Sequence, residues 1–134
     1  MHSQEKALYS DVVKEVRDYL LSRAEAFKNA GVPADKITLD PGLGFGKDTE
    51  HNLDLMRQMG QIAALGYPVL IGCSRKRFVG AVTGEDVEGR LAGTLAVNAF
   101  ATAHGAAVLR VHDVRETSDM VKMLFSLGDF AVRR

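Results

Sequence analysis

Apolar residues recur at helical spacing near the start of the chain: Val12, Val16, Tyr19, Leu20, Ala24 and Phe27 predict a helix over residues 10–30. Ser10 is placed to cap it, and Gly31 and Pro33 follow its end. Lys36-Ile37-Thr38-Leu39 reads as a short strand ending at Asp40, followed by the glycine-rich turn Asp40-Pro41-Gly42-Leu43-Gly44-Phe45-Gly46-Lys47. A second helix is expected over about 49–65, with Leu53, Met56, Met59, Ile62 and Ala63 on one side and Gly66 as terminator. Pro68-Val69-Leu70-Ile71-Gly72-Cys73 lacks polar alternation, the pattern of a strand buried on both faces. It runs into Ser74-Arg75-Lys76-Arg77 and a loop to about Glu85. The segment 86–104 reads as a helix that is apolar nearly all round between Leu91 and Val97. A third strand, Ala107 to Val111, ends at His112-Asp113, and Thr117 or Ser118 caps a last helix carrying Met120, Val121, Met123, Leu124, Phe125 and Leu127.

The order is therefore a helix followed by three strand–helix units. Short strands alternating with helices imply right-handed crossovers and a parallel sheet. Two α/β architectures accommodate this: a small doubly wound domain, or about the last half of an eight-unit barrel. Periodicity does not separate them.

Composition narrows the class of protein. The 134 residues carry 17 Lys+Arg against 17 Asp+Glu, so no basic face argues for nucleic acid or an anionic membrane. A hydrophobic share of 46% with 25% charged residues excludes wholesale disorder, and the length suits one domain over 1–134. The lone Cys73 excludes an internal disulfide framework and a cysteine-based zinc site. No apolar run approaches the ~20 residues of a membrane span, and the first residues lack a signal-peptide core, so a cytoplasmic protein is expected.

Chemistry gathers at the strand ends. Asp40-Pro41-Gly42, Ser74-Arg75-Lys76 and Arg110-Val111-His112-Asp113 each follow or close a strand, where parallel α/β folds bind ligands. One carboxylate, several cations, a hydroxyl and an imidazole suit a ligand with a hydrogen-bond-donating edge and an anionic tail. Gly42-Leu43-Gly44-Phe45-Gly46-Lys47 is one residue short of a nucleotide phosphate loop, with Asp48 where a magnesium-binding hydroxyl would stand. Its bland reading is a turn that reverses the chain. Asp40 weighs against that, because a strand-terminal carboxylate is costly to bury without a partner. Ser74-Arg75-Lys76 by itself reads as a solvated basic turn. Arg110 and His112, two apart on a strand, are expected to share a face. The plain alternative for Arg110 is an ion pair with Asp113 or Asp40. His51 and His104 read as surface or helix-end residues, and Cys73 as a small buried side chain.

Taken together, DPGLGFGK with His51-Asn52, IGCSRKRFVG, GRLAGTLA at 89–96 and LRVHDV resemble the dihydropteroate synthase family. The resemblance covers essentially the whole chain. It implies an α/β fold in which this chain is the C-terminal part, about three strands and four helices, of a TIM (β/α)8 barrel, with Met1-His2 at the end of the fifth strand. It implies a transferase of folate biosynthesis and a sulfonamide target. That enzyme condenses 6-hydroxymethyl-7,8-dihydropterin diphosphate with p-aminobenzoate to give 7,8-dihydropteroate and pyrophosphate. By resemblance, Lys76, Arg110 and His112 are catalytic. Asp40, Gly44, Gly72, Lys76 and Arg110 meet the pterin; Phe45, Ser74 and Lys76 form the aminobenzoate pocket; Arg110 and His112 bind the diphosphate. Mg2+ is implied as a cofactor whose ligand belongs to the N-terminal strands, with none in this chain. A homodimer through the last two helices and a complementary N-terminal chain are the implied partners, and the isolated chain is expected to be inactive alone. Two other readings stay open: a non-catalytic anion-binding or assembly module derived from the barrel, and a pterin-binding methyltransferase domain.

Overall fold

A computed structural model describes residues 9–128, and the expected strand end at Met1-His2 lies outside them. The first helix, α1, spans Val12–Asn29. Asp11, not Ser10, caps it: the Asp11 carboxylate accepts from the Lys14 N–H at 3.1 Å, while Glu15 accepts from the Asp11 N–H. Val12, Val13, Val16 and Ala24 are buried, but Tyr19 and Phe27, expected on the same stripe, stay exposed.

The expected helix over 49–65 divides into α2, Thr49–Arg57, and α3, Gly60–Ala63. The break falls at Gln58-Met59, just before a glycine, where continued helix is poorly favoured. Met59 and Ile62 are sunk in the core at 1% and 0% exposure and hold both sides of the break. Residues 77–83, expected as loop, form a further helix, α4, Arg77–Thr83. Its buried Phe78 and Val79 anchor a short helix that leaves no periodic signature, and Gly84 closes it with φ +82°. The next helix, α5, spans Leu91–Ala103 rather than starting at 86, because Val87–Gly89 is a separate 3-10 turn capped by Asp86. The last, α6, spans Val114–Leu127 and starts at Asp113; Thr117 lies inside its first turn and donates to the Asp113 carbonyl at 2.7 Å.

The strands run parallel, as expected, but are shorter than the sequence suggested. β1 is Leu70–Ile71 and β2 is Val108–Leu109, paired Leu70 with Val108 and Ile71 with Leu109. The segment near Leu39 contributes a single parallel bridge to Val69, closed by Leu39 N–H to the Pro68 carbonyl and Leu70 N–H to the Leu39 carbonyl, both 2.8 Å. Residues 34–36, which include Lys36 at the start of the expected first strand, are a 3-10 turn instead.

Alternation along these strands sorts the chemistry. Ile37, Leu39, Val69, Ile71 and Cys73 are buried with the helices. Their alternates Asp40, Gly72 and Arg110 fall on the other face. Cys73 is fully buried and its thiol donates to Asn98 Oδ1 at 3.2 Å; burial pushes the thiol up from 9.0 to about 11. The folded chain therefore holds this proton where the unfolded chain has lost it. That contribution is complete below pH 9 and is lost as pH rises towards 11. Unfolding free energy should fall by about 2–3 kcal/mol across the window, and Cys73→Ala should lack that decline in urea titrations at pH 8 and 10.5. Lys47 and Lys76, whose ammonium forms are disfavoured by burial, act in the opposite direction, so the comparison of the two proteins isolates the thiol.

Candidate active site

Three chain segments bring their polar residues to one end of the sheet. On the first, Asp40 Oδ1 accepts the Gly42 N–H at 2.9 Å, and Asp40 Oδ2 meets Arg110 Nη1 at 3.4 Å. This ion pair is the plain alternative foreseen for Arg110; Asp113 pairs with Arg75 instead, at 2.9 Å. Arg110 remains 57% exposed and Asp40 37%, so the pair is long and wet, and a ligand displaces it at small cost. Gly72 explains how Arg110 reaches across: a Cβ there would lie 3.0 Å from Arg110 Cζ and closer still to Nη2, within the space the guanidinium fills.

The turn after β1 is tied down through its backbone, while the Arg75 and Arg77 side chains stay exposed. Arg75 takes a left-handed φ of +58°, its N–H donates to Thr94 Oγ1 at 3.1 Å, and its carbonyl accepts Arg90 Nη1 at 2.9 Å. Ser74 is buried, and its hydroxyl shares a 2.7 Å hydrogen bond with His112 Nδ1 while accepting the His112 backbone N–H at 3.2 Å. Nδ1 is thereby occupied and Nε2 is the remaining ring nitrogen. Arg110 and His112 thus sit two positions apart on one segment but take different partners, Asp40 and Ser74.

The glycine loop is built the opposite way to a phosphate cradle. Its Gly42, Leu43 and Phe45 carbonyls receive ammonium groups: Lys47 Nζ donates to Gly42 at 2.9 Å and Phe45 at 3.0 Å, and Lys76 Nζ donates to Leu43. Carbonyls turned to cations leave no nest of amides for an anion. Lys76 also stands 4.7 Å from the centre of the Phe45 ring, which is 53% exposed. Burial lowers the pKa of both lysines; Asp40 raises both in part, and Arg110 lowers Lys76 further. A concavity of about 510 Å3 opens here, lined among others by Gly44, Phe45, Lys47, Asn52, Lys76 and Phe78. A larger one of about 800 Å3, near Gly60, Tyr67, Pro68 and Gly105, lies at the opposite strand ends and lacks this set of polar groups.

Several residues that shape the site had no role assigned from the sequence, Asn52 being named there only as part of a motif. Asn52 is 2% exposed; it accepts the Gly44 N–H at 2.8 Å and donates to the Asp48 carbonyl at 2.9 Å. Thr94 and Asn98 are buried on α5 beneath Arg75 and Cys73, and Asn98 Nδ2 has no partner among the described residues. Two polar residues four apart inside an apolar helix were the available signal. His51 closes a capping box with Asp48 at the start of α2, and His104 ends α5, so both are helix-end residues. Among the described residues, no group of three His, Cys, Asp or Glu side chains could hold a metal.

The model of a family described as pterin binding enzymes matches residues 1–112. The chain belongs to this family. It is 42% identical over 129 residues to dihydropteroate synthase of Streptococcus pyogenes, an alignment covering 95% of this chain and 48% of that protein. In structure it resembles dihydropteroate synthase of Thermus thermophilus. In complex with 6HMPPP, that enzyme matches at a TM-score of 0.86 and 47% identity over 90% of this chain and 48% of that one. In complex with 4-aminobenzoate the match is 0.87 at 46%, over 92% and 48%. The chain thus spans about half the length of the relatives it matches.

Proposed function

We propose that this chain is the C-terminal part of a (β/α)8 barrel and supplies about half of a dihydropteroate synthase site. The observation that carries the reading is the convergence of Asp40, the Ser74–Lys76 turn and the Arg110–His112 segment at the carboxyl end of one parallel sheet. The substrates are a dihydropterin diphosphate and p-aminobenzoate, in keeping with the 6HMPPP and 4-aminobenzoate complexes of the Thermus relative.

In this reading Asp40 accepts from the pterin's amino and ring N–H edge, with Gly44, Gly72, Lys76 and Arg110 around it. Phe45, Ser74 and Lys76 frame the aminobenzoate. Its amine nitrogen bonds to the pterin methylene carbon as the carbon–oxygen bond to diphosphate breaks; the amine loses a proton and pyrophosphate departs. Negative charge grows on the leaving group, and Arg110 with His112 stabilises it. Arginine suits this role through its planar fork. Magnesium is assigned to ligands of the N-terminal portion, and a cytoplasmic location is part of the same proposal. No helix among the described residues is long and apolar enough to cross a membrane.

The experiment is reconstitution. The chain alone should yield no detectable pteroate, because site geometry must hold within about 0.5 Å and half of the contacting groups are elsewhere. Adding an N-terminal portion taken from a relative should restore synthesis. Turnover by the chain alone would overturn the first statement, and silence of a well-folded mixture would overturn the second.

A homodimer through α5 and α6 belongs to the same proposal. On α5 the buried positions are Thr94, Asn98 and Ala101, while Leu91, Leu95 and Val97 are only partly covered and Phe100 is exposed. Met123, Phe125 and Leu127 of α6 are exposed as well. A helix that buries Thr94 and Asn98 while leaving Leu91, Leu95 and Phe100 incompletely covered is suited to a partner. Light scattering at high micromolar concentration should give twice the chain mass, and a monodisperse monomer would reject the dimer.

A further inference from the structure

The glycine loop places Gly42, Gly44 and Gly46 at φ of +72°, +86° and +64°, three left-handed residues within one short turn. Such a backbone has no side chains at those positions to fix its own shape. Beyond the buried Leu43 and a 3.1 Å bond from the Phe45 N–H to the Gly42 carbonyl, its form is set by side chains that bond its backbone. Asp40 holds the Gly42 N–H and Lys76 holds the Leu43 carbonyl, and both already belong to the proposed substrate contacts. Lys47 and Asn52 do not. Lys47 joins the Gly42 and Phe45 carbonyls through one ammonium, closing the loop across its mouth. Asn52, buried on α2, fixes the Gly44 N–H from below and is itself held by the Asp48 carbonyl.

We propose that Lys47 and Asn52 are positioning residues for the arylamine substrate: they clamp the loop so that the exposed Phe45 ring stands over Lys76 at the mouth of the concavity. This rests on the reading of Phe45 and Lys76 as the aminobenzoate side of the site. The clamp acts on one substrate more than the other. Arg110 and His112 follow β2, which β1 separates from the Leu39 segment, and His112 is bonded to Ser74; the long, exposed pair of Arg110 with Asp40 is their contact with the loop, so the diphosphate end depends on the loop's shape less than the aminobenzoate end does. Lys47 Nζ spends two of its donors on the Gly42 and Phe45 carbonyls, so its ammonium is engaged with the loop.

The chain contains no tryptophan, so Phe45→Trp installs a single fluorophore on the loop. In that background Lys47→Met should lower the steady-state anisotropy and shift emission to the red, whereas Lys47→Arg, which keeps the donors, should retain most of the parent signal. In the unlabelled chain, Lys47→Met should weaken 4-aminobenzoate binding, measured by ligand-observed NMR, by about tenfold. That is roughly one charge-assisted hydrogen bond lost through misplacement. Pyrophosphate affinity by calorimetry should stay within about twofold, the scale of a lost contact too weak to matter. Asn52→Leu should act in the same direction, with circular dichroism reporting the fold in each case. Unchanged anisotropy in Lys47→Met, or equal weakening of both ligands, overturns the clamp. A parent chain that binds pyrophosphate but no 4-aminobenzoate counts instead against the aminobenzoate assignment, and the anisotropy comparison still decides whether Lys47 sets the loop.

Discussion

Arg110→Ala should weaken pyrophosphate binding by about ten- to a hundredfold, since a charge-assisted hydrogen bond contributes roughly 1.5–3 kcal/mol. The loss should fall on binding and not on folding. Arg110 is more than half exposed, and its pairing with Asp40 at 3.4 Å is a wet surface contact whose removal costs the fold at most about 1 kcal/mol. Lysine at the same position should recover only part of the affinity, because it keeps the charge but lacks the planar two-pronged donor. Gly72→Ala offers an independent route to the same result. The added methyl would stand 3.0 Å from Arg110 Cζ and closer still to Nη2, and the flexible end of an arginine moves aside at little cost to stability. Its guanidinium then leaves its place beside β1, so affinity should fall while the melting temperature stays near that of the parent. Calorimetric titration of all four proteins with pyrophosphate measures this. Equal affinity in parent and Arg110→Ala would remove Arg110 from the anion site.

The order of elements was legible because each strand is an apolar run ending in a polar cluster, and that end is also where the chemistry sits. Asp40, Ser74, Lys76, Arg110 and His112 could be picked out for that reason. Their individual partners could not be fixed: for Arg110 an ion pair with either Asp40 or Asp113 stayed open. The pairing of Arg110 with Asp40 spans 70 positions of sequence, and it depends on Gly72 having no side chain. Helix α4 escaped notice because seven residues with two buried apolar anchors carry no helical period. The start of α6 was misplaced because Thr117 resembles a cap, whereas its hydroxyl bonds back to the Asp113 carbonyl inside the first turn. Asn52, Thr94 and Asn98 are the more instructive omissions. Each is a polar residue on a helix that reads as surface or as an interruption, yet each is buried and bonded to the backbone or thiol of a strand-end loop. Hydrophobic patterning assigns such residues to solvent. Burial with a satisfied partner is a tertiary property that no local window contains.

Asp40→Asn should have the larger effect on the pterin end of the site, about a hundredfold or more in affinity for a pterin ligand, the scale of two lost polar contacts. The substitution preserves shape and one acceptor. Asn Oδ1 can still take the Gly42 N–H, which the Asp40 carboxylate accepts at 2.9 Å, so the start of the glycine loop and the fold should persist. What changes is the second oxygen, which now meets Arg110 Nη1 at 3.4 Å and on the proposed reading takes the ligand's N–H edge. Replacing it with an amide nitrogen turns an anionic acceptor into a donor that faces the ligand's own donors. One charge-assisted bond is lost and at least one donor is left unpaired in a partly buried site, and each of these costs about 1–3 kcal/mol. The same substitution releases Arg110 from its only ion pair among the described residues, leaving the guanidinium free for pyrophosphate. Pyrophosphate affinity should therefore hold or rise slightly while pterin affinity collapses. Titrating Asp40→Asn with a dihydropterin and, separately, with pyrophosphate reads the two ends of the site independently. A parallel loss of both would point to a disrupted fold at the strand ends and not to a lost recognition group, and unchanged pterin affinity would place the pterin edge elsewhere.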